Sequence, residues 1–315
     1  MRKLSLILMI VLLGTVFFAT YPEKPLHIIV PFSAGGGTDF LIRNFSQILQ
    51  KYYPKPIVIE NVPGAGSAIG MKRLYNSKPD GYTMGVPGTH LLTAELKGFV
   101  DFPWDALSHV AVLNTEPYVI AVRKDSKWKT IEELLEDAKE NPFTITMGTA
   151  GAGALTDIVA HAINHRTGAK FVVVPFNGGA KERAALLGGH ISAGVFSGSE
   201  VLPYVGEEGE LRVLATVGEK RSPLYPDVPS LGELGYKGIP AGSVRGLAFP
   251  PNTPQEIVKK FEEILLKAVN DPEWKEFSKK YGYVDTFCVG ENMMKFYKSL
   301  YESLKEIMKE MGLIK

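Results

Sequence analysis

Residues 31–39, PFSAGGGTD, follow the extended apolar run of residues 26–30 and open an amphipathic stretch in which Leu41, Phe45, Ile48 and Leu49 fall at i, i+4, i+7 and i+8. The glycines therefore sit where a strand hands over to a helix. Backbone N–H groups in the first turn of such a helix have no intrahelical partner and lie at the positive end of its dipole, and a run without Cβ atoms lets an anion come close. The arrangement recurs. Residues 143–148 read as a strand, TAGAGALTD at 149–157 repeats the small-residue loop and its closing Thr–Asp, and Leu155, Ile158, Val159, Ala162 and Ile163 supply a second helical face. One such loop alone serves equally as a tight turn, but two in one chain can clamp one anion between two lobes.

Ahead of this, Arg2 and Lys3 precede LSLILMIVLLGTVFF, an apolar stretch shorter than the roughly 20 residues a spanning helix needs. Residues 1–20 read as a secretory signal peptide, with an uncleaved anchor as the alternative. No cysteine lies near that segment, so a lipoprotein signal is excluded and the chain is expected free in the periplasm. Cys288 is the only cysteine, so neither an internal disulfide nor a thiolate metal cluster is expected. A formal net charge of +1 with 22% charged residues describes an ordinary globular surface and argues against a nucleic-acid partner. A chain of 315 residues is long for one core, which stops growing at about 250–300 residues, so two lobes are expected.

Short extended runs at 26–30, 57–60 and 82–86 alternate with helical patterns at 40–52 and 69–76, the mark of parallel βαβ units with helices on both faces. Ligands of such sheets bind outside the carboxyl ends of the strands, where PFSAGGGTD, NVPGAGS and PGTH fall, the last supplying Gly88 and Thr89. A strand from Tyr118 is expected to cross to a second lobe containing TITMG, FVVVPFNGG, ISAGVFSG and LRVLATV as strands, and RGLAFPP near Gly246 to cross back. Helix starts are marked by Thr130 with Glu133, by Thr253 with Pro254 and Glu256, and by Asp271 with Pro272. In the last helix Tyr297, Leu300, Tyr301, Leu304, Met308 and Met311 form a core-facing stripe.

No catalytic constellation stands out. GAGSAIG at 64–70 is one residue too long for a dinucleotide fingerprint, neither Gly-rich loop carries G-K-S/T, and GVFSG at 194–198 places Ser197 one position late for a nucleophile elbow. His161 and His165 are four apart, yet Ala162 stands where a zincin would have its Glu. Asp39 and Asp157 each follow a Thr at a helix opening, where an acid caps N–H groups and complements the dipole.

Six collinear segments resemble the solute-binding proteins of the tripartite tricarboxylate transporter system, the TctC or Bug family: PFSAGGGTD, IENVPGAGSAIG, KPDGYTMG, VPFNGGAKERAALLGGHISAG, RVLATVGEKRSPLYPDVPSLGELGY and RGLAFPPNTPQEIV. The resemblance covers nearly everything beyond residue 20. It implies an α/β, type II periplasmic binding fold of two lobes joined by two crossing segments, with residues 21–122 and 246–315 as lobe 1, 123–245 as lobe 2 and the ligand cleft between them. It further implies a monomeric receptor rather than an enzyme, with no cofactor and no metal, which delivers a small di- or tricarboxylate or related organic acid to integral-membrane transporter subunits. The alternatives are a carboxylate-sensing receptor for signalling and, after it, an exported α/β enzyme.

In that family the carboxylate is held largely by backbone N–H groups and waters of the two Gly-rich loops. These correspond here to Ser33, Ala34, Gly35, Gly36, Thr38 and Asp39, and to Thr149, Ala150, Gly151 and Gly153. Gly88, Thr89, Phe176, Asn177, Gly178 and Ser197 are expected at the same cleft. Arg245, next to a glycine at the return crossing, can offer a carboxylate a planar pair of donors, its other role being a surface ion pair. Phe176-Asn177-Gly178 stand where many members read Tyr-Lys-Gly, and Val244 where a Trp is common, so no solute preference carries over.

Overall fold

The computed structural model describes residues 21–315; the expected signal peptide at 1–20 lies outside them. The first half of the fold begins with β1 (Leu26–Val30), α1 (Gly37–Leu49), β2 (Ile57–Asn61), α2 (Ala68–Tyr75), β3 (Thr83–Gly85) and α3 (Thr89–Leu96). A long β4 (Ser108–Arg123) leads to α4 (Ile131–Glu140), β5 (Thr146–Thr149), α5 (Leu155–Thr167), β6 (Val172–Pro175), α6 (Gly179–Leu187), β7 (Ala193–Ser197), the short α7 (Gly198–Val201) and β8 (Leu211–Thr216). The chain ends with β9 (Gly242–Phe249), α8 (Gln255–Val269), α9 (Pro272–Lys280), β10 (Cys288–Val289) and α10 (Gly290–Glu310).

β1 pairs in parallel with β2 and β3, Ile28 lying opposite Ile59 on one side and Met84 on the other. Alternate side chains of a strand point to opposite faces. Ile29 accordingly joins a core with Met71, Leu91 and Tyr297, while Ile28 and Val30 join another with Phe45, Phe261 and Trp274. Helices thus cover both faces, as the βαβ alternation predicts. β5 repeats the parallel arrangement, between β6 and β7.

β4 joins the two halves. Through Pro117 it runs antiparallel to β9, and from Tyr118 onward it pairs with β7 and β8. The strand order is β2-β1-β3-β9-β4-β7-β5-β6, with β8 and β10 also on β4. β4 begins ten positions before the expected Tyr118, because Asn114, Thr115, Glu116 and Pro117 interrupt its apolar pattern and read from sequence as a break.

The capping box of Thr130 and Glu133 is present, and Asp271 accepts from the Glu273 N–H at 2.8 Å with Pro272 in the first turn. The third expected cap is corrected: α8 is capped by Pro254, and the Thr253 hydroxyl instead donates to the Pro250 carbonyl at 2.9 Å. Tyr297, Leu304 and Met308 are buried as the stripe requires, with Leu300, Tyr301 and Met311 packed against them. Cys288 is half-buried and unpaired. Among the described residues no helix is long and apolar enough to cross a membrane.

Candidate functional site

Between the halves lies a cavity of about 40 Å³ lined by the first turns of four helices: Gly37 and Thr38 of α1, His90 of α3, Leu155 and Thr156 of α5, and Gly179 and Glu182 of α6. None of the four has a side-chain cap, their N-cap residues being Gly36, Gly88, Ala154 and Gly178. Four positive dipole ends, none capped by its N-cap side chain, therefore meet at one place, and the Gly37 N–H of α1 is directed at Glu200. The cavity, about 40 Å³, is large enough to hold water, for which about 10–15 Å³ suffices. The halves are closed on each other. A Cβ at Gly66 would strike the Ala152 carbonyl oxygen and one at Gly178 would strike Ser33 Oγ, so glycine permits the approach at both points.

The two Gly-rich loops are built alike. Asp39 Oδ2 accepts from the Gly35 N–H at 2.8 Å, and Asp157 Oδ2 accepts from the Gly153 N–H at 2.9 Å, each acid reaching four residues back to close its loop. Asp39 also accepts from Arg43 Nε at 2.9 Å and Asn61 Nδ2 at 2.8 Å. Burial raises its pKa, but these bonds outweigh burial and the net shift is downward, so the group stays ionised. With its carboxylate committed to the loop, Asp39 shapes the site through the backbone. Thr156 adds a further tie, its hydroxyl accepting from the Ala150 N–H at 2.9 Å.

Arg245, on β9, is the largest fully buried side chain, 1% exposed. Its Nε donates to Thr38 Oγ1 at 3.0 Å, one terminal nitrogen to Glu116 Oε2 at 2.5 Å and the other to Ser197 Oγ at 2.8 Å. It thus ties the start of α1 to the end of β7 across the β4 junction. Glu116, equally buried, also accepts from the Ser199 N–H at 2.8 Å. The surface ion pair is excluded; the partner is a buried acid.

Two more acids face the cavity. Glu200 pairs with Arg183 at 3.0 Å, and burial, opposed by Arg183, pushes its carboxyl up to about 7. Glu182 is completely buried; neither carboxyl oxygen has a well-formed hydrogen bond, although the Val195 N–H approaches the carboxyl closely enough to oppose the rise in its pKa. Burial, reinforced by the Glu200 charge, holds it well above the ordinary carboxylate range. His90 is kept neutral, its pKa lowered to about 3 by burial. Its Nε2 lies 2.9 Å from the Val86 carbonyl, which can only accept, so Nδ1 carries a lone pair.

Of the residues singled out from sequence, Gly36, Thr38, Ala150, Ser197 and Arg245 line the cavity. Ser33, Thr89 and Thr149 flank it in the same loops, and their hydroxyls are buried without partners. Gly88 bridges to Arg245, and Gly151, Gly153 and Gly178 are buried in the loops around the cavity. Phe176 is half-buried, while Ala34, Gly35 and Asn177 are exposed. Sequence reasoning missed Glu116, Glu182, Glu200, His90, Tyr118 and Ser243. Only the first offered a local signal, a lone acid between apolar runs. Among the described residues no group of three or more His, Cys, Asp or Glu is placed to hold a metal ion, and His161 instead lies 3.9 Å from Asp157.

Two α/β halves sharing β4, closed over a cavity ringed by uncapped helix N-termini, define a solute receptor of the periplasmic-binding type. Residues 41–313 match the profile of the Tripartite tricarboxylate transporter family receptor, and the chain belongs to that family. It is 31% identical over 298 residues, 94% of this chain and 90% of the other, to the UPF0065 protein in the gbd 5' region of Cupriavidus necator. Its fold superposes with a TM-score of 0.88 on the periplasmic binding protein BugD, at 28% identity over 93% of this chain and 99% of that one. MatC of Rhodopseudomonas palustris, solved with bound malate, shares the fold at a TM-score of 0.79 and 24% identity over 92% of this chain and 98% of that one. The family is one of receptors, not enzymes.

Proposed function

We propose that this protein captures a small carboxylate between its lobes and delivers it, from the periplasm, to integral-membrane subunits of a tripartite tricarboxylate transporter. The observation that carries the reading is the meeting of four uncapped helix N-termini at one cavity, which offers an anion dipoles and N–H donors together. Unpartnered hydroxyls of Ser33, Thr89 and Thr149 supply further donors beside it. The malate complex of a protein of the same fold agrees with a carboxylate. In this reading the loops at 33–39 and 149–153, with Gly88, Phe176 to Gly178 and Ser197, form the binding surface, and Arg245 braces it. The lobes, 21–122 with 246–315 and 123–245, open and close about β4, where its partners change at Pro117 and Tyr118.

The test is a thermal-shift screen of the ligand-free protein against mono-, di- and tricarboxylates. A true ligand at about a hundred times its dissociation constant stabilises the fold by about 2.7 kcal/mol, and the compound is recovered unchanged. Recovery of a chemically altered compound, or stabilisation by nucleotides or sugars alone, overturns the proposal.

A further inference from the structure

The charges around the cavity do not balance. Arg245 is matched by Glu116 and Arg183 by Glu200, which leaves Glu182 as a surplus acid with no cation of its own. It occupies the first turn of α6, where an exposed acid would favour the helix dipole, yet here its side chain is folded inward against Gly148 and Gly194: a Cβ at Gly194 would lie 2.7 Å from Glu182 Oε1. The absence of two Cβ atoms from β5 and β7 makes the hollow that admits the carboxyl group. Burying such a group without partners costs free energy unless a ligand supplies them.

What is missing there is donors. Two Glu182 oxygens and the lone pair of His90 Nδ1 are acceptors at the cavity, and a protonated carboxyl could satisfy only part of this set with its single O–H. In the same cavity, the first-turn N–H groups of α1 and α5 are donors without side-chain caps. The lining thus offers donors to an anion and acceptors to a group rich in N–H.

We propose that the solute is an amino-substituted carboxylate, whose carboxylate meets the N-termini of α1 and α5 and whose ammonium group meets Glu182, with Glu200 and His90 beside it. This rests on the reading of the protein as a carboxylate receptor. The three N–H donors of an ammonium group fit the acceptor set, and its charge lets Glu182 ionise.

The experiment is isothermal calorimetry on the ligand-free protein with matched pairs: L-aspartate against succinate, L-glutamate against glutarate, and 4-aminobutyrate against butyrate. The amino member of at least one pair is expected to bind at least tenfold more tightly than its partner. Glu182→Gln, isosteric and uncharged, is expected to bring that ratio close to one. Titrations at pH 7 in two buffers of different ionisation enthalpy should show net proton release on binding, smaller in Glu182→Gln. Glu200, Arg183, Glu116, Arg245 and His90 face the same space, so the comparison of the two proteins isolates the Glu182 contribution. Equal or tighter binding of the nitrogen-free member throughout overturns this inference and leaves the carboxylate reading standing. So does a Glu182→Gln protein that keeps the wild-type ratio. Binding by neither member of any pair overturns this inference, and the carboxylate reading then stands or falls by the wider screen.

Discussion

Replacing Arg245 tests whether its buried fork braces the junction of the lobes. The side chain is 1% exposed and its acid partner, Glu116, is 1% exposed, so solvent cannot take over either charge. In Arg245→Met the apolar stem is retained, while Glu116 keeps only the Ser199 N–H at 2.8 Å, and Thr38 and Ser197 each lose a donor. Removing one partner of a buried pair typically costs about 3–5 kcal/mol, because the other charge is left uncompensated. For the residues 21–315, at about 2.1 cal/mol/K of unfolding entropy each, a kcal/mol moves the midpoint by about 1.6 °C, so a fall of about 5–8 °C is expected by differential scanning calorimetry. The double variant Arg245→Met/Glu116→Gln removes the stranded charge and should recover more than half of that loss. Arg245→Lys should recover little, since an ammonium group cannot reach three acceptors spread around a planar fork. A loss below about 1 kcal/mol in Arg245→Met, or a double variant no more stable than the single one, would refute the argument from buried charge.

Gly66 and Ala152 meet across the closed cleft, so Gly66→Asn, which tolerates the left-handed φ of 62° at that position, should wedge the lobes apart through its Cβ. Small-angle scattering should then report a larger radius of gyration in the presence of ligand than wild type shows; an unchanged radius would mean the contact is not part of closure. Glu182 also sets a pH dependence: its pKa is raised in the folded state, so the folded protein binds more protons than the unfolded one above the ordinary glutamate value of 4.5, and stability is lost as pH rises. Glu182→Gln removes this loss, and its stability advantage over wild type in urea titrations should grow from about pH 5 to about pH 8. The buried, neutral His90 lowers stability in the opposite sense, as pH falls below its unfolded pKa, but it is common to both proteins and cancels in the difference. A difference that stays flat with pH would rule out the buried acid.

The parts of this molecule legible in its sequence are those set by local physics. The handover from β1 to α1 and from β5 to α5 follows from glycine runs beside periodic apolar faces, and the capping box at Thr130 follows from a spacing of three. Asp39 and Asp157 were readable as acids at helix openings, and both close their loops at nearly equal distances. The Thr253 cap failed because the helix begins at Gln255, which makes Pro254 and not Thr253 the N-cap residue, a shift of one position that the sequence pattern does not resolve; the Thr253 hydroxyl donates to Pro250 instead.

The acids of the cleft were illegible for a different reason. Glu182 in the first turn of α6 has the sequence signature of a solvated residue favourable to the helix dipole, and only the packing of α6 onto β5 and β7 turns it inward. Glu116 reads as an interruption of a strand, because its partner Arg245 is 129 positions away and joins it only when β9 pairs with β4. Glycine has two uses in this fold, and the sequence announces one of them. In the loops a missing Cβ leaves backbone N–H groups open to an anion from outside; at Gly148 and Gly194, within strands, it makes room for a carboxyl group of the protein itself. The second use buries an acid at the same cavity that the helix N-termini ring, and in the amino-carboxylate proposal that acid gives the cleft a preference beyond the charge of a carboxylate.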